Sequence, residues 1–191
     1  LLDHSGRNID FNAKGCNKTA FMFACENGHK DVVQLLLDHS DRNIDFNAKR
    51  WNETALLMAC GNGHKDVVKL LLYHPNSNIE FTRGYARRTA LMYACKGGHK
   101  DVVQLLLDHS NRNVELNAKD LCGDTALAWA CKNGNKDVVQ LLLDHSDPKI
   151  DLSSKNILGW TALMYARWGG HGEIIQLMEQ KRAEADRAGE T

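Results

Sequence analysis

The chain has 191 residues, a length that is ample for a substantial hydrophobic core. Its 24 basic and 24 acidic residues balance, so it lacks the excess positive charge that non-specific nucleic-acid binding requires. No apolar run approaches the roughly 20 residues of a membrane-spanning helix, and the opening LLDHSGRN lacks the basic segment of a signal peptide. We therefore expect neither a nucleic-acid-binding nor a membrane-spanning protein.

A Thr-Ala pair recurs at spacings of 35, 35, 36 and 36 residues, its threonines being Thr19, Thr54, Thr89, Thr125 and Thr161. A period in this range predicts a solenoid, because a single unit buries its apolar face only by stacking on its neighbours. We expect a single domain over residues 1–191, with a partial repeat at 1–14 and repeats that start near 15, 50, 85, 120 and 156. The chain opens on LLDHS, which matches the end of a later helix, so we expect it to begin within a repeat.

Each unit is predicted to contain two helices, as its third copy illustrates. The first helix spans residues 89–97, and Thr89 is a suitable N-cap for it. Gly98 follows and predicts a helix stop through a positive φ. The second helix spans residues 100–110 and is apolar over much of its circumference, which indicates cover by neighbouring units. In the last unit it becomes a charged helix over about 171–188, typical of a terminal cap with a polar outer face.

The connections between units are polar, and we expect them to project as extended loops. In the last two units the loop tip contains a glycine, Gly123 or Gly159, as turn geometry favours. The first three complete units have one residue fewer in this connection. We therefore expect their tips to differ in shape from the last two.

The unit pattern TALMYA…GH…VV.LLL…NAKD..G.TAL resembles the ankyrin repeat, whose signature is T-P-L-H-x-A at a period of 33 residues. The resemblance covers essentially the whole chain. It implies an all-α solenoid of stacked helix-turn-helix units with projecting hairpin-like loops. It also implies a protein-binding role, because this family grips protein partners with its loop tips and first helices. The chain departs from the signature where alanine replaces proline, at Ala20, Ala55, Ala90, Ala126 and Ala162.

Four cysteines occupy one helical position in successive units, namely Cys25, Cys60, Cys95 and Cys131. Equivalent positions in stacked repeats lie about 10 Å apart, whereas a disulfide needs Cα atoms within about 7 Å. We therefore expect buried free thiols, which suit a reducing, cytoplasmic environment.

Three histidines, His29, His64 and His99, are also matched between units, and Asn135 stands at the fourth equivalent position. The asparagine indicates a structural hydrogen bond rather than a metal ligand. The sequence contains no phosphate-binding loop, Cys-x-x-Cys pair or nucleophile motif. We expect a protein that is not an enzyme and that needs no cofactor or metal.

The differences between units concentrate at the loop tips and on one stripe of the first helix. One position of that stripe is occupied in successive units by Phe23, Met58, Tyr93, Trp129 and Tyr165. Buried sites tolerate such differences in side-chain volume poorly. We therefore predict an exposed contact surface, while Met22, Leu57, Met92 and Met164 beside it are expected to be partly buried. The predicted partner-binding residues are Trp51, Glu53, Met58, Tyr85, Arg87, Arg88, Tyr93, Lys96, Leu121, Asp124, Trp129, Lys132, Leu158, Trp160, Tyr165 and Trp168.

The expected partner is another protein, held on the concave face of a chain that is monomeric when free. Residues 28–40 and 98–110 are identical over thirteen positions, which resembles engineered or selected ankyrin binders. Recent duplication within a natural signalling or scaffold protein would give the same copying. Some residues outside the loop tips and the first-helix stripe also differ from the other copies, among them Tyr73 and Pro75. These differences favour the natural origin or laboratory evolution.

Overall fold

The computed structural model describes residues 10–15, 17–39, 44–77, 79–80, 83–109, 116–145 and 150–187. Across these ranges the ordered elements are α-helices, with a single 3-10 turn and two isolated β-bridges. The predicted all-α repeat architecture is confirmed. The helices are α1 (Ala20–Glu26), α2 (Lys30–Asp38), α3 (Ala55–Gly61), α4 (Lys65–Tyr73), α5 (Ala90–Gly97), α6 (Lys100–Asp108), α7 (Ala126–Lys132), α8 (Lys136–Asp144), α9 (Ala162–Trp168) and α10 (Gly172–Arg187).

The helices form two layers. The first helices of the units stack in chain order from α1 through α9, and the second helices stack in the same order from α2 through α10. Each first helix also packs on the second helix of its own unit, so the core lies between the layers. Alanine and cysteine on the first helices, such as Ala94 and Cys95, are fully buried and let neighbouring helices approach closely.

The first helices begin at a threonine cap. In four units the threonine hydroxyl accepts a hydrogen bond from the backbone N–H three residues later, the caps being Thr19, Thr89, Thr125 and Thr161. Such a bond satisfies one of the amides that a helix start leaves open. Thr54 stands at the same position but makes no such bond.

The turn between the two helices also joins neighbouring units. Gly63 has a φ of 76°, and a Cβ there would lie 2.4 Å from Nδ1 of His99 in the next unit, so only glycine fits. Nε2 of His99 in turn lies 2.9 Å from the Gly61 carbonyl oxygen. Asn135 makes the equivalent bond one unit later, donating to the Lys96 carbonyl at 3.2 Å, and it also donates to the Cys95 carbonyl at 2.8 Å. The predicted structural role of this His/Asn position is confirmed.

The observed helix bounds differ slightly from the predicted ones. The first helix of the third unit begins at Ala90, because Thr89 is its cap, and the second ends at Asp108. The charged last helix spans Gly172–Arg187 and is tied to α9 by an ion pair of 2.7 Å between Arg167 and Glu179. Within the ranges given above, no helix is both long enough and apolar enough to cross a membrane. Most of the predicted partial repeat at 1–14 lies outside the described residues, and so does Cys16.

Candidate protein-contact surface

The loop tips of the second to fifth units are joined into one line by hydrogen bonds between units. The Asn52 side-chain amide donates to the Arg83 carbonyl at 2.9 Å. The backbone N–H of Leu121 donates to the Ala86 carbonyl at 2.9 Å, and that of Ile157 donates to the Cys122 carbonyl at 2.9 Å. We call this line, together with the tip of the first unit, the tip edge; it comprises residues 15, 17–18, 50–53, 84–88, 120–124 and 156–160.

The first two tips are tight two-residue turns. In the second unit Arg50 and Glu53 exchange two backbone hydrogen bonds of 2.9 and 2.8 Å. The residues between them, Trp51 and Asn52, both have positive φ values, 49° and 68°, as a type I′ hairpin turn requires. In the first unit Gly15 and Lys18 form the matching bridge.

The last two tips are wider. Asp120 and Asn156 begin them, and each side-chain oxygen accepts hydrogen bonds of 2.9 Å from two backbone N–H groups of its own turn. The predicted difference in shape is confirmed. The third tip is as long as the last two, but its positive φ values fall at Ala86 (56°) and Arg87 (61°) rather than at a single glycine, as at Gly123 (82°) and Gly159 (78°). In the third unit Gly84 stands five residues before the capping threonine, as Asp120 does, and its N–H donates to the Arg88 carbonyl at 2.7 Å. The residue missing from the third unit is therefore missing before Gly84, not from the tip.

In each unit after the first, the second residue of the tip carries a large, exposed apolar side chain. The exposed fractions are 68% for Trp51, 64% for Tyr85, 61% for Leu121 and 73% for Ile157. We call these four residues the apolar row. Ile157 was not among the predicted contact residues. It lies four residues before its capping threonine Thr161, as Leu121 does before Thr125, so counting back from the capping threonine would have found it. Leu158, which was predicted, is 74% exposed beside it.

Behind the tips lies a layer of polar side chains that joins each unit to the next. The Tyr93 hydroxyl donates a hydrogen bond of 2.5 Å to the Glu53 carboxylate of the preceding unit. Burial, with a further contribution from Glu53, raises the pKa of Tyr93 above its usual value, so the phenol stays protonated as the donor. The tyrosine hydroxyl sits against Gly84, where a Cβ would approach it to 2.9 Å.

Trp129 is the centre of the same layer in the fourth unit. Its indole N–H donates to the buried Asp120 carboxylate at 3.2 Å. Three cations surround its ring, with Arg88 at 4.4 Å, Lys132 at 4.9 Å and Lys96 at 5.7 Å from the ring centroid. Arg88 also pairs with Asp120 at 3.6 Å, so one carboxylate holds both the tryptophan and the arginine.

A buried triad continues the layer into the fifth unit. The Asn156 amide donates to the Asp124 carboxylate and to the Tyr165 hydroxyl, both at 2.9 Å. The Tyr165 hydroxyl donates to Asp124 at 3.1 Å. Burial, then the neighbouring Asp124 charge, raises the pKa of Tyr165 to about 12. The tip of the fifth unit is therefore locked to that of the fourth.

Comparison with known families agrees with this repeated architecture. Four overlapping stretches of the chain, residues 1–83, 42–120, 76–148 and 112–188, match a family model described as ankyrin repeats in three copies. The chain belongs to the ankyrin-repeat family. No curated protein matches it significantly. Ankyrin repeats are generally protein–protein interaction modules, and ankyrin-repeat proteins are generally not enzymes.

The structure places eight of the predicted contact residues of this ankyrin-repeat chain on its exposed surface: Trp51, Tyr85, Arg87, Lys96, Leu121, Lys132, Leu158 and Trp168. Four others are half-buried: Glu53, Arg88, Tyr93 and Trp160. The ring of Trp168 projects from α9 and contacts Trp160 edge-on, with a centroid distance of 6.1 Å. The exposed subset and the apolar row lie on the loop tips and the first helices.

The remaining four predicted residues are buried, and the expectation that they form an exposed surface is wrong. Met58 is 6% exposed, Trp129 and Tyr165 are each 8% exposed, and Asp124 is 4% exposed. The two largest of these buried side chains each have a polar partner in a tip: Trp129 bonds to Asp120 in the tip of its own unit, and Tyr165 bonds to Asp124 in the tip of the preceding unit. At the same helix position in the first unit, Phe23 is 40% exposed. Of the flanking positions expected to be partly buried, Met22, Leu57 and Met92 are fully buried, whereas Met164 is exposed.

The titratable side chains of this ankyrin-repeat chain do not form a metal site in the part that the structure describes. No cluster of three or more His, Cys, Asp or Glu side chains there has a metal-binding arrangement. Burial raises the pKa of each helix thiol, in the case of Cys131 to about 12, so these groups are protonated and poor nucleophiles. A cavity of about 620 Å³ in the last unit is lined by residues outside the tip edge, among them Leu152, Leu163 and Met178.

Proposed function

We propose that the chain binds a partner protein along the tip edge and the exposed positions of the first helices, the face that is concave in related repeats. The observation that supports this most strongly is the apolar row, in which four consecutive units each expose one large apolar side chain at one turn position. Scattered apolar residues are normal on a surface, but a contiguous row of them typically marks an interaction site.

The hydrogen bonds between tips bear on the affinity that such a row can reach. Association loses free energy when loops must be ordered, at about 0.5–1.5 kcal/mol for each immobilised side chain. Here the backbones of neighbouring tips are already joined, so a partner meets a surface that needs little reorganisation. An interface of standard size covers about 800 Å² on each partner, which suits a line of tips across several units.

The buried residues of the polar layer have a supporting part in this proposal. Asp120, Asp124, Trp129 and Tyr165 hold the tips in register, while contact falls to the exposed residues in front of them. Tryptophan, tyrosine and arginine dominate binding hot spots, so Trp51, Tyr85 and Trp168 are the expected centres of binding energy.

Two origins suit this binding role. The identity of residues 28–40 and 98–110, with variation confined largely to the edge, supports an engineered or selected binder. A fragment of a natural signalling or scaffold protein is the alternative, and the pairs specific to each unit, such as Glu53 with Tyr93, support it. Sequencing the gene on both sides of the coding segment separates the two, since further domains would be found only for the natural scaffold.

Two tyrosines provide a matched test of the contact face. Tyr85 is 64% exposed on the tip edge, and Tyr73 is 51% exposed at the end of α4, on the second-helix layer. Partners are captured by affinity purification with the wild-type chain and with Tyr85→Ala and Tyr73→Ala, and are quantified by mass spectrometry. We expect the Kd for a captured partner to rise at least about tenfold, a cost above about 1 kcal/mol, for Tyr85→Ala.

The Tyr73→Ala variant is expected to retain its partners at wild-type levels. Circular dichroism of both variants checks that the fold is kept. Equal retention by the two variants, or loss with Tyr73→Ala alone, would contradict a contact face on the tip edge.

A further inference from the structure

The charges on the tip edge and first helices do not balance, although the chain as a whole is neutral. Arg50, Arg87, Lys96 and Lys132 lie on this face, and in the described part of the chain none has a carboxylate within ion-pair distance. Lys18 in the first unit differs, because it pairs with Glu26. The unpaired cations therefore lie in the second, third and fourth units.

The carboxylates of the same face are already engaged. Glu53 accepts the Tyr93 hydroxyl, and Asp120 accepts the Trp129 indole N–H and pairs with Arg88. Asp124 is buried within the triad of the fifth unit. The structure thus uses the negative charges of the edge internally and leaves positive ones facing outward.

The opposite layer is arranged differently. Two lysines of the second helices have acidic partners one unit away: Lys65 pairs with Asp101 at 3.6 Å, and Lys136 pairs with Glu173 at 2.7 Å. Single pairs of this exposed kind contribute little stability, but they leave no surplus charge at those positions. An aspartate also directly follows the first lysine of α2, α4, α6 and α8, so that layer carries exposed acidic groups beside its lysines.

Lys96 and Lys132 are the most closely associated of the outward cations. Both ammonium groups approach the ring of Trp129, at 5.7 and 4.9 Å from its centroid. A buried ring attracts them, yet it is a weaker partner than a carboxylate and does not neutralise their mutual repulsion. An anion placed beside them would relieve that repulsion and accept charge-assisted hydrogen bonds from both.

Next to these cations the surface becomes apolar. In the fifth unit Ile157, Leu158 and Trp168 are each more than 70% exposed, and Met164 is exposed beside them. Neighbouring units in a helical stack are about 10 Å apart, so the cationic and apolar zones are separated by roughly three residues of an extended chain.

On the basis of the proposed function, we infer that the partner presents an acidic segment whose carboxylates contact Lys96 and Lys132 and whose apolar side chains, about 10 Å further on, contact the surface formed by Ile157, Leu158 and Trp168. Charge complementarity selects this chemistry, and the adjacent apolar zone fixes the direction in which the segment lies. Complementary charges of this kind mainly accelerate association and exclude partners of the wrong sign, and salt weakens the effect.

A protein segment suits this surface better than a nucleic acid does. A DNA-binding protein can make about 6–10 phosphate contacts, whereas this face offers three exposed cations without an ion pair, Arg87, Lys96 and Lys132, in the described units. The apolar zone of the fifth unit is also aliphatic in part, with Ile157 and Leu158 at the tip, whereas stacking on bases needs aromatic platforms.

A charge-reversal selection tests the inference. A random peptide library displayed on phage is selected separately on three folded proteins: the wild type, the double variant Lys96→Glu/Lys132→Glu, and the control Lys65→Glu/Lys136→Glu. The control carries the same change in net charge on the second-helix layer. We expect peptides enriched in Asp and Glu from the wild type and the control, and peptides enriched in Lys and Arg from the edge variant.

Affinities of the selected peptides give a second readout. An acidic peptide selected on the wild type is expected to lose at least about tenfold in affinity for Lys96→Ala/Lys132→Ala, a variant without reversed charge, and to bind more weakly as salt is raised. Its affinity for the control should be unchanged. Circular dichroism and thermal unfolding of each variant show whether the fold is intact.

The possible failures are distinguishable. Peptides that require Tyr85 and Ile157 but show no acidic enrichment would overturn this inference and leave the proposed function standing. Peptides whose affinity is indifferent to Tyr85→Ala and Ile157→Ala would contradict the proposed function itself. An oligothymidine probe that binds the wild type and is lost on Lys96→Glu/Lys132→Glu would overturn the acidic segment in favour of a nucleic acid.

Discussion

Replacing Trp129 with alanine is expected to lower the free energy of unfolding by about 3–5 kcal/mol, the range for removing a buried tryptophan. The side chain is almost completely buried, and its removal leaves a cavity behind the tip of the fourth unit. It also deprives the Asp120 carboxylate of the indole N–H and uncovers Arg88, Lys96 and Lys132. All of these losses act in the same direction.

Trp51→Ala is the matched control, because Trp51 is the same residue type in an exposed position. Its ring contacts the Arg50 guanidinium at 3.7 Å, and its removal should change the free energy of unfolding by less than about 0.5 kcal/mol. For a domain of this length, 3–5 kcal/mol corresponds to a fall in Tm of about 6–20 °C. Urea and thermal unfolding followed by circular dichroism measure both variants without relying on tryptophan fluorescence.

The two variants should also separate stability from binding. Trp51→Ala is expected to weaken partner binding without changing the fold. Trp129→Ala is expected to lower the free energy of unfolding. If Trp129→Ala unfolded within about 0.5 kcal/mol of Trp51→Ala, the burial and hydrogen bonding of Trp129 would not be what stabilises the edge, and the supporting role given to it would be refuted.

Three further outcomes are expected. Gly84→Ala should lower the free energy of unfolding by about 1–3 kcal/mol, because the new methyl group would lie 2.7 Å from Leu57 and 2.9 Å from the Tyr93 hydroxyl. Gly15→Ala is the control, since a Cβ at Gly15 meets nothing within 4 Å. Urea unfolding of both variants checks this. Raising the pH from 10 to 12 should destabilise the wild type more than Tyr165→Phe. Burial raises the pKa of Tyr165 from 10.0 to about 12, so the stabilisation of the folded state by the neutral phenol is complete below pH 10 and is lost as the pH rises to 12. Urea unfolding midpoints measured against pH check this. In a Cys16→Ser background, a thiol reagent should modify the exposed Cys122 quickly and the four buried helix cysteines only after unfolding, and a time course of labelling by mass spectrometry would contradict this if a buried thiol reacted as fast.

The repeat and its helices could be predicted from the sequence because their determinants are local. A threonine cap such as Thr89 and a glycine stop such as Gly98 act within one turn of the helix they bound. The apolar pattern of the second helices requires cover on several sides, and stacking is the arrangement that provides it. Each of these signals recurs in every unit, which strengthens the inference.

The burial of Met58, Trp129 and Tyr165 at the variable helix position could not be predicted in the same way. The side chains at this position differ in volume, and that observation indicated a surface. The partners that accommodate them come from other segments: Tyr93 is paired with Glu53, forty residues earlier, and Tyr165 is paired with Asp124, forty-one residues earlier. A pattern read within one helix contains no information about a compensating residue in the tip of another unit.

The third tip illustrates a different limit. The sequence shows that the connection between the second and third units is one residue short, but not where the residue is missing. Gly84 resolves the ambiguity structurally, because the Tyr93 hydroxyl and Leu57 occupy the space that a Cβ would need there. Packing between units, rather than turn propensity, determines the alignment of this loop.

The polar layer has a consequence for how such a chain can change. Helices α2, α6 and α8 are identical over nine residues, so recombination between their coding segments would leave the second-helix layer intact. The edge would not survive such shuffling equally well, because Glu53 has its partner one unit later in Tyr93, and Asp124 has its partners one unit later. Side-chain pairs between adjacent tips therefore constrain the order of the units. A unit that is moved to a new place in the chain keeps its tip contacts only if the neighbouring tip carries the matching group.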